Sequence, residues 1–467
     1  MIELNLARGR GRASTLVEQL VRAFAEAIET QALRAGAVLP SVRQLAQQQD
    51  LSTFTVTEAY GRLVSMGLVV ARRGSGYRVA ARAASPRAAM PAWQPPSLTA
   101  TWLLSDVYAD RSVPIKAGCG TLPNEWINES GLHHALRALA RVPAARLADY
   151  GHPYGFAPLR ERIVEQLDRL GMPAELENVL LTQGATQALD LVVRTLLRPG
   201  DAVVVEDPGY CNLLQILKLA GLHVYGVPRT PTGLDVEALE RIVESHRPRA
   251  IFVNTVLQNP TGASFGMASA FRLVQIAERA GIWIVEDDVS RELAPSGVPL
   301  IAAMEGLERA VYVSGFSKTI TPGLRCGYVV GQRDVLRELA RTKMAVGLTS
   351  SETIERIVDK VIVEGRYARH VERVDERLKE AHAIVEARLD ELGFEVFHRP
   401  RAGLFLWARL PIDAERAAQV ATAALADGIW LAPGSYFRPD DAPSAWFRFN
   451  VPHSTDDALW HFMQRIA

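Results

Sequence analysis

Between Ser14 and Thr30 apolar residues recur at helical spacing, through Leu16, Leu20, Phe24 and Ile28, and predict an amphipathic helix. A second helix is predicted to start near Ser41, carrying Val42, Leu45 and Ala46. Asp50-Leu-Ser52 reads as a turn, and Ser52 is a good cap for a third helix running to about Met66. Leu68-Val-Val-Ala and Tyr77-Arg-Val then read as short strands, with Arg72-Arg-Gly-Ser-Gly76 as the turn between them. Three helices followed by a hairpin predict a winged helix-turn-helix over residues 1–80.

The pattern then breaks. Residues 81–110 begin with Pro86, Pro91, Pro95 and Pro96 among Ala and Ser, which reads as a linker partly extended by its prolines. Beyond it, short apolar runs alternate with helical stretches. Val179-Leu-Leu-Thr, Ala202-Val-Val-Val-Glu, Ala250-Ile-Phe-Val-Asn, Ile282-Trp-Ile-Val-Glu and Ala310-Val-Tyr-Val-Ser are apolar on both faces. Such runs, with helices between, predict a buried and mostly parallel sheet, an α/β fold. From about Gln332 the pattern changes to long helices, followed by Phe394-Glu-Val-Phe, Leu404-Phe-Leu-Trp and Trp446-Phe-Arg-Phe-Asn. These predict a smaller α+β part. The second domain therefore spans 111–467, as a large subdomain of about 111–331 and a small one of about 332–467.

Composition narrows the class. At 467 residues, with 48% apolar and 22% charged residues, the chain has the make-up of a globular protein of two or three domains. Its formal net charge is zero, but residues 1–80 hold ten Arg, no Lys and six acidic residues, a net +4. A basic first domain suits contact with phosphates. Cys119, Cys211 and Cys326 are odd in number and widely spaced, which fits a reducing cytoplasm and predicts no metal site. No apolar run reaches the roughly 20 residues needed to span a bilayer, and Met1–Arg12 has no apolar core of a secretory signal.

Ligands of open α/β sheets gather beyond the carboxyl ends of the strands, and polar residues fall there in series. Gly184-Ala-Thr186 follows one strand and Pro208-Gly-Tyr210 the next. Asn259-Pro-Thr-Gly262 follows a third, Asp287 ends a fourth, and Lys318 comes just after a fifth.

On these residues the region from about Pro114 onward resembles a fold-type I aminotransferase, and the region from about Leu16 to Val79 resembles a GntR-type winged helix. Together they are similar to the MocR-type regulators over nearly the whole chain. The resemblance implies pyridoxal 5'-phosphate as cofactor. Within Ser314-Gly-Phe-Ser-Lys-Thr-Ile-Thr-Pro-Gly-Leu-Arg325, Lys318 would form the internal aldimine as the one catalytic residue, and Arg325 would clamp the phosphate with its planar fork. Gly184, Ala185 and Thr186 would offer backbone N–H groups to the same phosphate, and Ser317 a hydroxyl. The family often has serine three before the lysine, where this chain has Gly315 beside Ser314. Asp287 would keep the pyridine nitrogen protonated; Asp288 competes, but the strand end favours Asp287. Asn259 would bond the ring hydroxyl, and Tyr210 would stack on the ring.

Arg448, in Trp-Phe-Arg-Phe-Asn, matches the arginine that grips a substrate α-carboxylate, and here would bind an effector. Tyr150 resembles the tyrosine that reaches a neighbour's phosphate, which implies a homodimer. The family usually has a tyrosine two or three residues past the key aspartate; this chain has Val289 and Ser290. Serine is too short to reach as far, so altered cofactor reactivity is expected.

In the first domain, Pro40-Ser-Val-Arg-Gln-Leu-Ala46, Thr55-Val-Thr-Glu-Ala-Tyr60 and Gly67-Leu68 follow the GntR pattern. Arg43 would contact phosphate, and Thr53, Thr55 and Thr57 would begin the recognition helix. Arg72 and Arg73 would sit by the wing. The family often has arginine where this chain has Thr53, which predicts an altered operator preference. The expectation is a cytoplasmic transcription regulator that binds double-stranded DNA and senses an amino acid, an amine or a vitamer through the Lys318 aldimine, leaning away from an enzyme. The alternative is an active aminotransferase, using the same cofactor, with a vestigial DNA-binding domain.

Overall fold

The computed structural model describes residues 15–30, 32–72, 76–80, 113–127, 131–144, 147–363 and 365–466. They fall into two compact units, divided after Pro95. Arg73, Gly74 and Ser75 of the wing turn, the linker expected over 81–110 and the segment Met1–Arg12 lie outside the described residues.

The first unit contains helices α1 (Leu16–Glu29), α2 (Val42–Gln48) and α3 (Thr53–Ser65) and an antiparallel hairpin, β1 (Val69–Arg72) with β2 (Gly76–Val79). Each helix starts where a side chain can take up its free N–H groups. Thr15 and Glu18 form a reciprocal capping box at α1, Ser41 and Gln44 one at α2, and Ser52 accepts from the Thr55 N–H at α3. Leu20, Phe24, Leu45, Val56, Tyr60 and Leu63 close over Val69 and Val79 as one core. The Tyr60 hydroxyl donates to Pro40 O at 3.0 Å, fixing α3 against the approach to α2.

The second unit is built on an eight-stranded sheet in the order β3-β10-β9-β8-β7-β4-β5-β6. The strands are β3 (Val179–Thr182), β4 (Ala202–Asp207), β5 (His223–Thr230), β6 (Gly233–Leu234), β7 (Ala250–Asn254), β8 (Trp283–Asp287), β9 (Ala310–Gly315) and β10 (Gly327–Val330). β9, β8, β7, β4 and β5 run parallel, while β10 lies antiparallel between β3 and β9. Apolar side chains leave both faces of these strands into two separate cores, one holding Leu181, Val204, Ile251 and Ile284, the other Leu180, Val205, Phe252 and Val285. The sheet is mostly parallel, as the doubly apolar runs predict. The chain passes from β4 to β5 on one side and returns to β7 on the other side of β4, a reversal of direction at which α/β sheets open a crevice.

Residues after Gln332 form the helices Arg333–Gly347, Glu352–Val363 and Tyr367–Glu391. A four-stranded antiparallel sheet follows, ordered β11-β12-β14-β13, from β11 (Glu395–Val396), β12 (Phe405–Arg409), β13 (Ala432–Pro433) and β14 (Trp446–Asn450). Leu406, Phe447, Phe449 and Trp460 are its core. The strand-like segment near Ala117 is tied to it, with Gly118 N donating to Trp430 O and Asn450 N to Ala117 O, both at 2.6 Å. Those bonds carry Gly118 and Gly120 to the mouth of the crevice.

Candidate functional site

A cavity of about 370 Å³ opens where the carboxyl ends of the large sheet meet the small sheet. Asp287 is the last residue of β8, Lys318 follows β9, Ala185 and Thr186 open the helix after β3, and Tyr210 follows β4. Asn259, Ser317 and Arg325 join them from loops, and Arg448 reaches in from β14. The cofactor and effector residues expected from the sequence therefore line one cavity, except Tyr150 and Gly184, the latter sitting just before the lining residue Ala185. Tyr150 is 81% exposed and lies outside the lining.

Lys318 Nζ donates to Gly120 O at 2.5 Å. Burial, and next the charge of Arg448, lower its pKa to about 8, so a neutral amine is available far more readily than on a surface lysine. Asp287 is buried, and its Oδ1 has no hydrogen-bond partner. Burial pushes its pKa up to about 7, against the pull of the Val289 N–H and Lys318. Asp288 is committed elsewhere, through an ion pair to Arg291 Nε at 2.6 Å, and it does not line the cavity. Of the two carboxylates, Asp287 is the one that lines the cavity.

Asn259 is held by its own backbone, whose N–H donates to Asn254 Oδ1 at 2.8 Å. Asn254 in turn donates to Asp287 O at 2.6 Å, so one amide joins the ends of two segments of the site. Below it, a buried Glu206–Arg229 ion pair anchors the loop, since Glu206 also accepts from Asn254 N and from Gln258 Nε2, each at 3.1 Å. Arg448 donates to Asn259 Oδ1 at 2.7 Å and to Gly118 O at 2.5 Å. Its guanidinium carbon lies 4.6 Å and 4.8 Å from the ring centres of Phe405 and Phe437, and its Nε is buried without a partner. The residue expected at the cofactor ring and the one expected at the effector are therefore directly bonded.

The opposite end of the cavity is shaped for a phosphate. Gly184 has φ +84°, and a Cβ there would come 2.8 Å from Arg325 Nη2. A Cβ on Gly327 would come 2.6 Å from Ala185 N. Two glycines thus let a guanidinium and a helix N-terminus converge. Ser314 does not contribute, because its hydroxyl donates to Asp288 O at 3.0 Å. Val289 and Ser290 line the cavity where the family's tyrosine is expected. An amine, a buried unpaired carboxylate and a guanidinium–helix cradle fit the three ends of pyridoxal phosphate.

Sequence reasoning missed other lining residues. Asn254 ends β7 as Asp287 ends β8, so its strand-end place was a usable signal. Trp430, Tyr436, Phe437 and Cys211 also line the cavity but lie in ordinary apolar surroundings, which gave none.

In the first unit, Arg43 is exposed in the first turn of α2, and Arg72 is exposed at the end of β1. Thr53 and Thr57 are exposed at the start of α3, while Thr55 is half-buried and shares a hydrogen bond with the Ser52 hydroxyl at 2.8 Å.

The fold and cavity define an aminotransferase-like protein with an appended helix-turn-helix, and comparison with known proteins agrees. The family model "Aminotransferase class I and II" matches residues 119–466, and that for bacterial regulatory proteins of the gntR family matches residues 16–79. The chain belongs to the class I and II aminotransferase family, joined to a GntR domain in the MocR pattern. It is 31% identical to YjiR of Escherichia coli (strain K12), an uncharacterized HTH-type transcriptional regulator, over 85% of this chain and 86% of that one. It is 32% identical to a 2-aminoadipate transaminase of Thermus thermophilus, over 63% of this chain and 74% of that one. Among solved structures, α-aminoadipate aminotransferase LysN of Thermus thermophilus, complexed with N-(5'-phosphopyridoxyl)-L-leucine, superposes with a TM-score of 0.70 at 26% identity, covering 78% of this chain and 95% of that one. The cofactor supported by family and neighbours is pyridoxal 5'-phosphate. Among the described residues, no helix is long and apolar enough to cross a membrane, and no cluster of three or more His, Cys, Asp or Glu could hold a metal ion.

Proposed function

We propose that this chain is a pyridoxal-phosphate-dependent, DNA-binding transcription regulator that responds to an amino acid, an amine or a vitamer at Lys318. The supporting observation is the pairing of two sets of parts in one chain. Lys318, Asp287, Asn259, Arg325 and Arg448 line one cavity, and a fully capped helix-turn-helix displays Arg43, Thr53, Thr57 and Arg72.

Bound pyridoxal phosphate supplies an aldehyde that captures amines and a ring that withdraws electrons. The chain's own groups have separable tasks. Lys318 would present the amine, Asp287 would hold a proton for the ring nitrogen, and Asn259 would bond the ring hydroxyl. Ala185, Thr186, Ser317 and Arg325 would hold the phosphate, and Tyr210 would stack on the ring. Arg448 takes a carboxylate, at the cost of re-partnering its bonds to Asn259 and Gly118. Because Asn259 is one of those partners, effector capture changes a contact beside the ring and gives sensing a physical start. Tyr150, exposed in one chain, serves the neighbouring subunit of a homodimer.

The test is a DNase footprint on DNA flanking the protein's own gene, with and without added pyridoxal phosphate, for the wild type and Lys318→Ala. Discrete protection that changes with cofactor in the wild type, and ceases to respond in the variant, supports the reading. A second reading, an aminotransferase with a vestigial DNA-binding domain, draws support from the 2-aminoadipate transaminase match. Ser290 in place of the usual tyrosine weighs against it. No protection under either condition, together with many turnovers from an amino donor and a keto acid, would move it to the front.

A further inference from the structure

Phe54 is the second residue of α3 and is 78% exposed. It does nothing for the core, which α3 serves through Val56, Ala59, Tyr60 and Leu63 on its other face. A phenyl group left in water at that place has no folding rationale, since Phe is no better than Thr as a helix former.

The hydroxyls of Thr55 and Thr57 beside it already have partners. Thr55 Oγ1 pairs with Ser52 Oγ at 2.8 Å, and Thr57 Oγ1 donates to Thr53 O at 2.8 Å. Residues 57, 58 and 61 share the face of Phe54 by helical spacing. Among them Glu58 is paired with Arg62 at 3.2 Å, and Gly61 has no side chain, with open space where a Cβ would be. Beside the Thr53 hydroxyl, the first turns of α3 thus offer mainly a phenyl ring and threonine methyls.

In a helix-turn-helix, the N-terminal residues of the second helix meet base edges in the major groove. The one apolar group that a standard base pair presents there is the thymine C5-methyl. We propose that Phe54 reads a thymine methyl, so that each operator half-site carries a thymine facing the first turn of α3. This rests on the DNA-binding reading above, and it explains how a helix with threonine where arginine is usual can still select a sequence.

The experiment uses the full-length protein. Bound duplexes are selected from a random pool with the wild type, and each thymine of the selected site is then replaced in turn by deoxyuridine. That exchange deletes only the methyl and leaves base pairing intact. Burying a methyl group is worth about fourfold in affinity. The expected result is a loss of about that size at one thymine per half-site, and no such loss with Phe54→Ala, which already binds more weakly. Phe54→Leu, still apolar, should keep part of the preference. Equal wild-type affinity for thymine and deoxyuridine at every position, or an unchanged loss in Phe54→Ala, overturns the role of Phe54 and leaves DNA binding standing. A fall in melting temperature of Phe54→Ala with no change in selectivity also overturns it, by showing that the ring packs within the molecule. Failure to select any sequence overturns the regulator reading itself.

Discussion

Asp287 is buried without a partner at Oδ1, and burial pushes its pKa up to about 7, a cost that a protonated ring nitrogen would relieve. The sign follows from linkage. The folded state holds this proton more tightly than the unfolded chain, where an aspartate titrates at roughly 3.9. The stability it contributes is fully present below that value and is lost as pH rises through about 7. Asp287→Asn removes the charge and its desolvation. Without cofactor, the variant should melt a few degrees above the wild type at pH 8 and differ little at pH 4, by calorimetry. Its affinity for pyridoxal phosphate should fall at least about tenfold, from loss of a charge-assisted hydrogen bond. Lower cofactor-free stability at pH 8 would sink the assignment. This residue was legible in the sequence because it is both polar and at a strand end. Glu206 and Arg229, which brace the loop beneath Asn254 and Asn259, were not legible. A buried ion pair between residues far apart in sequence, on the neighbouring strands β4 and β5, leaves no local pattern.

At the scale of elements, the helix Ala185–Leu196 depends on how Gly184 delivers it to the cavity. Gly184 adopts φ +84° with ψ 164°, a region closed to residues with a Cβ at a cost of about 1–3 kcal/mol. Gly184→Ala should therefore lower the melting temperature. It should weaken cofactor binding out of proportion, because the added methyl meets Arg325 Nη2 at 2.8 Å. Fluorescence titration with pyridoxal phosphate checks this, and a stability loss without a selective loss of affinity would count against the phosphate cradle. The elements themselves were largely readable, down to Ser52 as a cap and a second helix starting near Ser41. β10 was not assigned, and its antiparallel placement between β3 and β9 could not have been read. A strand buried on both faces shows the same apolar run in either direction. The short β13 likewise has too few residues to show a period.

At the scale of the whole molecule, two units with different patterns were legible in the sequence, but coupling between them is not a local property and no motif encodes it. Thermodynamics nevertheless constrains it. If pyridoxal phosphate or an effector changes operator affinity by some factor, the operator must change the affinity for that ligand by the same factor. A tenfold effect corresponds to about 1.4 kcal/mol of coupling. On the proposed reading, the Arg448–Asn259 hydrogen bond is a specific place to look, because an effector carboxylate would compete for Arg448 while the ring hydroxyl would compete for Asn259. Arg448→Gln should leave operator affinity with pyridoxal phosphate alone within about twofold of the wild type, yet abolish the response to a carboxylate effector in both directions. Operator titrations at fixed effector, and effector titrations at fixed operator, measure the two factors independently. Equal factors in the wild type and none in Arg448→Gln would place effector recognition at this bond. An undiminished response in the variant would mean that the sensed ligand lacks a carboxylate or is the cofactor itself.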